Sequence, residues 1–194
     1  NLPGTLIRTE GGPATGDADA DNAYTFAGST YDYFLTQHGR DGIDGAGGEM
    51  RSTVHYCPSA SQCPYGNANW VGQLNQMIYG SGFASGDDVV AHELTHGLDQ
   101  HTANLFYYMQ SGALNESFSD IFGESVDLSN GLGNDTPAVR WLMGEDIPIG
   151  PIRNMMNPGA FQHPAKTSDS NFWCASGSYF DDDLDNGGVH INSG

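Results

Sequence analysis

An α+β fold is the expectation for this chain, with a β-rich N-terminal lobe packed on a central helix. Two observations carry it. Helical spacing or helix-start chemistry recurs in three segments, whereas strand-like patterns fall chiefly between residues 51 and 79. The 27 glycines supply the many turns that such a mixed chain needs.

The first residues, rich in Gly, Asp, Ala and Thr, read as a strand or loop that leads into an acidic surface loop at 16–22. Tyr24, Ala27, Tyr31, Phe34 and Leu35 then recur at helical spacing, which predicts an amphipathic helix over 22–38. Residues 39–48 are turn chemistry throughout. The stretch RSTVHY at 51–56 alternates as a strand does, and 68–79 offers one or two more. A helix is expected from Asp87 or Asp88 to about Gln100, its first turn carrying acids where the helix dipole favours them. A second is expected from Ser111 or Gly112 to Leu128, and beyond Ser129 frequent Gly and Pro loosen the pattern. These readings divide the chain into a β-rich lobe with one helix at 1–86, a helix pair at 87–128, and an irregular segment at 129–194.

Composition excludes several classes of partner. Six basic residues face 24 acidic ones, a formal net charge of −18, so phosphate backbones and anionic lipid surfaces are repelled. No apolar run approaches the ~20 residues that span a bilayer. Cys57 and Cys63 bracket a short loop (CPSASQC) and are close enough to form a local disulfide in an oxidising compartment. Cys174 is left over and is expected to be free and buried. The chain starts at Asn1 without a signal-like apolar segment, and is read as a processed or partial product whose targeting segment has been removed.

Chemistry concentrates at His92-Glu93-Leu94-Thr95-His96. Residues four apart share a helix face, so both imidazoles can reach one zinc ion. Glu93 lies about 100° around the helix, placed to meet a water on the metal without ligating it. The next helix carries Glu116 and Asp120 one turn apart. Glu116 can serve as third ligand, which leaves an open fourth position and a catalytic rather than structural site. Asp120 can accept the second ring N–H of a ligating histidine. The alternative zinc motif, with a glycine and a third histidine at set offsets, fails because Asp99 and Thr102 stand there and His101 misses by one. Without their context, Glu116 and Asp120 would read as a solvated face, Tyr107 as a core aromatic and His190 as a loop histidine.

The stretch VVAHELTHGLDQHTANLFYYMQSGALNESFSDIFGE resembles the zinc helix, connecting segment and third-ligand helix of the thermolysin-like metallopeptidases. The resemblance extends through STVHY, NANW and MIYG upstream, and through IRNMMNP to DNGGVHINSG downstream. It implies a secreted, zinc-dependent endopeptidase acting on peptides or proteins on the N-terminal side of large hydrophobic residues. Glu93 would act as general base and acid on the zinc-bound water. Tyr107 and His190 would stabilise the oxyanion, with Asp185 orienting His190. Asn67, Ala68 and Trp70 would hold the substrate as an extended strand, and Arg153 would meet a carbonyl beyond the scissile bond. Val89, Met143 and Ile152 would help form an apolar pocket.

The same resemblance implies a β-rich segment before Leu2 and a mostly helical lobe after Gly194. On that resemblance the lobe is expected to be largely absent from this chain, and a second chain, a missing part or an autolysed remnant would account for it. Asp88, Asp127 and Glu145 match part of the family's calcium site, with Glu124 as an extra ligand. Arg140 and Leu142 replace acids there, so one calcium ion rather than two is expected. Asp181, Asp182 and Asp183 do not fit an EF-hand, because Asn186 stands where glycine belongs, and read as a solvated acidic loop. Two readings compete with the enzyme: a silent zinc-binding fragment, and a calcium-stabilised structural domain with an accidental histidine pair.

Overall fold

Asp17 ends the opening loop by accepting a hydrogen bond from the Ala20 N–H, which caps α1 (Ala18–His38). The helix therefore starts four residues before the expected 22, and residues 18–22, expected as a loop, form its first turns. Asp19 and Asp21 suit those turns because they face the positive end of the helix dipole. At the other end Gly39 takes a left-handed conformation, and the N–H groups of Gly39 and Arg40 close on the carbonyls of Leu35 and Phe34. The computed structural model describes residues 2–174 and 185–194.

Three short strands come next: β1 (Arg51–Thr53), β2 (Ala68–Val71) and β3 (Gln76–Tyr79). β1 stops well before residue 56, since His55 sits at φ 53, outside any strand conformation. The order is β1-β3-β2, with β1 parallel and β2 antiparallel to β3. β3 is central and all four of its residues are buried, which is why QMIY lacks polar alternation. β2 is an edge strand, and its outer side looks towards the next helix. The N-terminal segment is thus less rich in strand than expected, although the mixed α+β character holds.

That helix, α2 (Asp87–Gln100), packs against α3 (Met109–Asn130) as well as α1 and β2. It is buried around most of its girth, with Val90, Ala91 and Leu94 fully inaccessible. Two glycines permit this packing. A Cβ on Gly97 would stand 2.9 Å from the Trp70 ring, and one on Gly123 of α3 would stand 2.7 Å from the Asp88 carbonyl oxygen. α3 runs two residues further at each end than the expected 111–128, and ends at Gly131 in a left-handed conformation. One face of α3 buries Glu116, Asp120, Glu124 and Asp127, while Leu114, Phe118 and Ile121 are exposed.

Past α3, β4 (Leu142–Met143) pairs antiparallel with β5 (Arg153–Asn154), which opposes Met143 to Arg153. Cys57 and Cys63 are disulfide-bonded as expected. Cys174 is free but exposed, which corrects the expectation of burial: it succeeds Trp173 in an irregular stretch that places it at the surface. Asp181, Asp182 and Asp183 lie outside the described residues. Among the described residues no helix is long and apolar enough to cross a membrane.

Candidate active site

His92 and His96 project from one face of α2, with their Nε2 atoms 3.0 Å apart. Glu116 comes from α3, with Oε2 3.5 Å from His92 Nε2 and Oε1 3.3 Å from His96 Nε2. The three ligand atoms lie within 4.8 Å of one another. Glu116 is wholly buried and its Oε2 has no hydrogen-bond partner. A buried orphan oxygen facing two imidazole nitrogens suits a divalent cation such as zinc, whose tetrahedral sites use these donor types. Burial opposes ionisation of Glu116, but His92, His96 and His190 outweigh it and hold the carboxyl below its ordinary range.

Each histidine is supported from behind. Asp120 sets Oδ1 2.8 Å from His92 Nδ1, a close contact although not an aligned hydrogen bond. Arg153, buried on β5, donates to both oxygens of Asp120 at 2.6 and 2.7 Å. Burial works against the Asp120 carboxylate, yet Arg153 and His92 keep it ionised far below its usual range. His96 Nδ1 meets Asn115 Oδ1 at 2.5 Å and Ser119 Oγ at 3.1 Å. The sequence reading missed these two supports, although both share α3 with Glu116, at one residue before it and three after.

Glu93 lies beside the triad, buried, with Oε2 accepting the Trp70 N–H at 2.6 Å. Burial raises its carboxyl to about 7, although the adjacent His92 pulls the other way. A cleft of about 530 Å³ opens over these groups. Asn67, Ala68 and Trp70 line it from the β2 edge, and Val89, Met143 and Ile152 form an apolar wall. Phe83, Ile147 and Ile149 extend that wall and were not anticipated. Arg153 also reaches the cleft, so its pairing with Asp120 does not withdraw it.

Tyr107 and His190 stand together on the cleft, with the hydroxyl 3.2 Å from His190 Nε2. The Tyr107 hydroxyl also donates to Glu116. Burial pushes the phenol far above its ordinary value, so it remains a donor. Asp185 bonds His190 Nδ1 and also accepts the backbone N–H groups of His190 and Ile191. The residues expected to act on substrate therefore share one cleft, with Asp120 and Asp185 behind it.

The acids assigned to calcium are not part of this triad. Asp88 gives both oxygens to backbone N–H groups, those of Val89 and Gly144. Asp127 sits instead against Asp87 and Asp135, and burial together with these neighbours raises it to about 10. Burial raises Glu145 to about 7 and lifts Glu124 as well. Glu124, Asp127, Asp135 and Glu145 each keep one buried oxygen without a partner.

Two family profiles divide the chain between them. Residues 4–100 match the thermolysin metallopeptidase catalytic domain, and residues 103–194 match the thermolysin metallopeptidase alpha-helical domain. The chain belongs to the thermolysin metallopeptidase family. The second match assigns α3 and the residues after it to the family's helical domain. A zinc metalloproteinase of Renibacterium salmoninarum is 43% identical over 96% of this chain and 36% of that protein. An extracellular metalloprotease of Pectobacterium carotovorum subsp. carotovorum is 40% identical over all of this chain and 57% of that protein. Among solved structures, the precursor of protealysin, a metalloproteinase from Serratia proteamaculans, superposes with a TM-score of 0.80 at 33% identity. It is covered to 61% of its length, with this chain covered fully. The chain thus spans about a third to three fifths of the relatives it matches.

Proposed function

We propose that this chain carries the catalytic centre of a secreted, zinc-dependent endopeptidase that cuts before large hydrophobic residues. The observation that carries the reading is the convergence of His92, His96 and Glu116 beside a buried, protonatable Glu93 on the floor of a cleft. Secretion is supported by the extracellular metalloprotease among the relatives and by the Cys57–Cys63 disulfide.

Zinc held by His92, His96 and Glu116 would acidify water and polarise a carbonyl. Glu93, buried beside His92, takes the proton from the attacking water and returns it to the leaving amine. Tyr107 donates to the oxygen on which negative charge develops, and His190 joins it through Nε2 as the doubly protonated ring, since Asp185 accepts the Nδ1–H. Asp185 holds His190 so that its Nε2 faces the cleft. Arg153 keeps Asp120 ionised behind His92 while facing a substrate carbonyl from the cleft wall.

The peptide lies along β2, whose outer edge can accept an added strand next to Asn67, Ala68 and Trp70. Val89, Met143 and Ile152 then receive the hydrophobic side chain after the cut. One calcium ion is proposed on Asp88, Asp127, Glu145 and Glu124, and the unpartnered buried oxygens of Glu124, Asp127 and Glu145 support it. Against it, Asp88 already accepts from two backbone N–H groups, and among the described residues only His92, His96 and Glu116 gather ligand atoms within 4.8 Å. The test is hydrolysis of a quenched peptide with Leu or Phe after the intended cut, with a zinc chelator and then with zinc restored. Cleavage lost to the chelator and regained with zinc supports the reading. Cleavage indifferent to the chelator, or none with zinc bound, overturns it.

A further inference from the structure

We infer that Asp99 is a positioning residue for the metal centre: through Asn115 it sets the tautomer of His96, and through Leu105 it anchors the segment bearing Tyr107. The inference rests on the proposed zinc site.

The geometry is a relay of three side chains. Asp99 Oδ2 accepts the Asn115 Nδ2 at 2.7 Å, and Asn115 Oδ1 lies 2.5 Å from His96 Nδ1. A carboxylate only accepts, so the nitrogen end of the amide must turn towards Asp99. The amide oxygen is then left facing His96, and because it too only accepts, the imidazole proton belongs on Nδ1. His96 Nε2 consequently keeps its lone pair, directed to where His92 Nε2 and Glu116 converge. Without Asp99 the amide of Asn115 could turn over and present its N–H₂ to His96, which would favour the tautomer that cannot ligate through Nε2.

Asp99 also ties down the connection between α2 and α3. The same Oδ2 accepts the Leu105 N–H at 2.9 Å, and the Asp99 carbonyl accepts the N–H groups of Thr102 and Asn104. Asn104 adopts φ 48 within this turn, and Tyr107 comes three residues later. One carboxylate oxygen therefore holds both a zinc ligand's partner and the approach to an oxyanion donor.

A purely local role is disfavoured. Asp99 stands in the last turn of α2, where the helix dipole opposes a negative charge. Its placement is against local helix stability and in favour of the two groups it binds.

The test compares Asp99→Ala, Asp99→Asn, Asn115→Ala and the Asp99→Ala/Asn115→Ala double variant in the zinc-loaded protein. Zinc release to a chromogenic chelator and the visible spectrum of the cobalt-substituted form are measured beside thermal melts. Asp99→Ala is expected to release zinc about 10–100-fold faster, as loss of a ligand's outer support does. Asp99→Asn, whose amide oxygen can accept the same two bonds, is expected to behave like the parent. The double variant is expected to be no worse than Asn115→Ala, because Asp99 acts on the metal through that amide. If Asp99→Ala fails to fold, Asp99→Ser replaces it, its hydroxyl being too short to serve both donors. Parent-like zinc release and cobalt spectrum in a folded Asp99→Ala or Asp99→Ser overturn the inference, as does full additivity in the double variant. A parent protein that binds no zinc overturns the zinc reading itself, a distinguishable failure.

Discussion

Removal of Asp120 separates two jobs that one carboxylate performs. Asp120 is 2% exposed and Arg153 8%, so their pair is desolvated and held by two short hydrogen bonds. In Asp120→Ala the guanidinium stays buried without its counter-ion, and such an orphaned charge costs about 3–5 kcal/mol. For a chain of this length that is a fall in Tm on the order of 10 °C, at about 2–4 °C per kcal/mol. The same substitution frees His92 Nδ1, which should weaken zinc binding about 10–100-fold. Adding Arg153→Met removes the orphaned charge, so the double variant should regain most of the stability but none of the zinc affinity. Urea melts of zinc-free protein keep metal linkage out of the stability measurement, and a competing chelator reports the affinity separately. The reasoning fails if the double variant is as unstable as Asp120→Ala alone, or if zinc affinity returns with stability.

Further outcomes test the other groups. Glu93→Gln should keep its zinc, by metal analysis, and lose about 10²–10⁴-fold in peptide turnover; near-parental turnover would remove Glu93 from the role of base. Tyr107→Phe and His190→Ala should each lower kcat by about 10²–10³ with little change in KM, as loss of an oxyanion donor does; a change confined to KM would make them binding groups. In calcium-free protein, burial and neighbouring carboxylates raise Asp127 and Glu145 well above their ordinary values of 3.8 and 4.5 in the folded state. Above about pH 4 the folded state therefore binds more protons than the unfolded chain, and stability should fall as pH rises. Melts at about pH 5 and about pH 8 should show that fall, and calcium should suppress it by favouring the ionised carboxylates; a rise with pH without calcium would refute the assignment. Gly123→Ala should cost about 1–3 kcal/mol by urea melt, because its Cβ would meet the Asp88 carbonyl at 2.7 Å.

Local regularities made much of this readable in advance. The i, i+4 spacing of His92 and His96 on a helix decides their common face, and the same spacing in Glu116 and Asp120 decides theirs. α2 was legible because acids mark its start and its apolar residues are continuous with the motif. α1 was misjudged at its start because Asp17 acts through a side-chain cap, and the several acids of 16–22 do not announce which one caps. Cys174 was misplaced because free cysteines are usually buried, and this one lies in a stretch with no periodic pattern to oppose that expectation.

Asn115, Ser119 and Asp99 were legible as residues but not as supports of His96, since their roles depend on how closely α3 approaches α2. The calcium acids illustrate the same limit. Asp87 and Asp88 are adjacent and chemically identical, yet the fold aims one at Asp127 and the other at backbone N–H groups. The amino-acid sequence by itself determined that α1, α2 and α3 exist, the residue types of the proposed zinc site and the family, because these rest on spacing along one chain. Only the tertiary structure decided that Arg153 lies behind Asp120, that Tyr107 meets His190 across 83 residues, and that the β2 edge faces Glu93. Those are contacts between elements, set by glycines that let backbones close and by buried charges that must find partners.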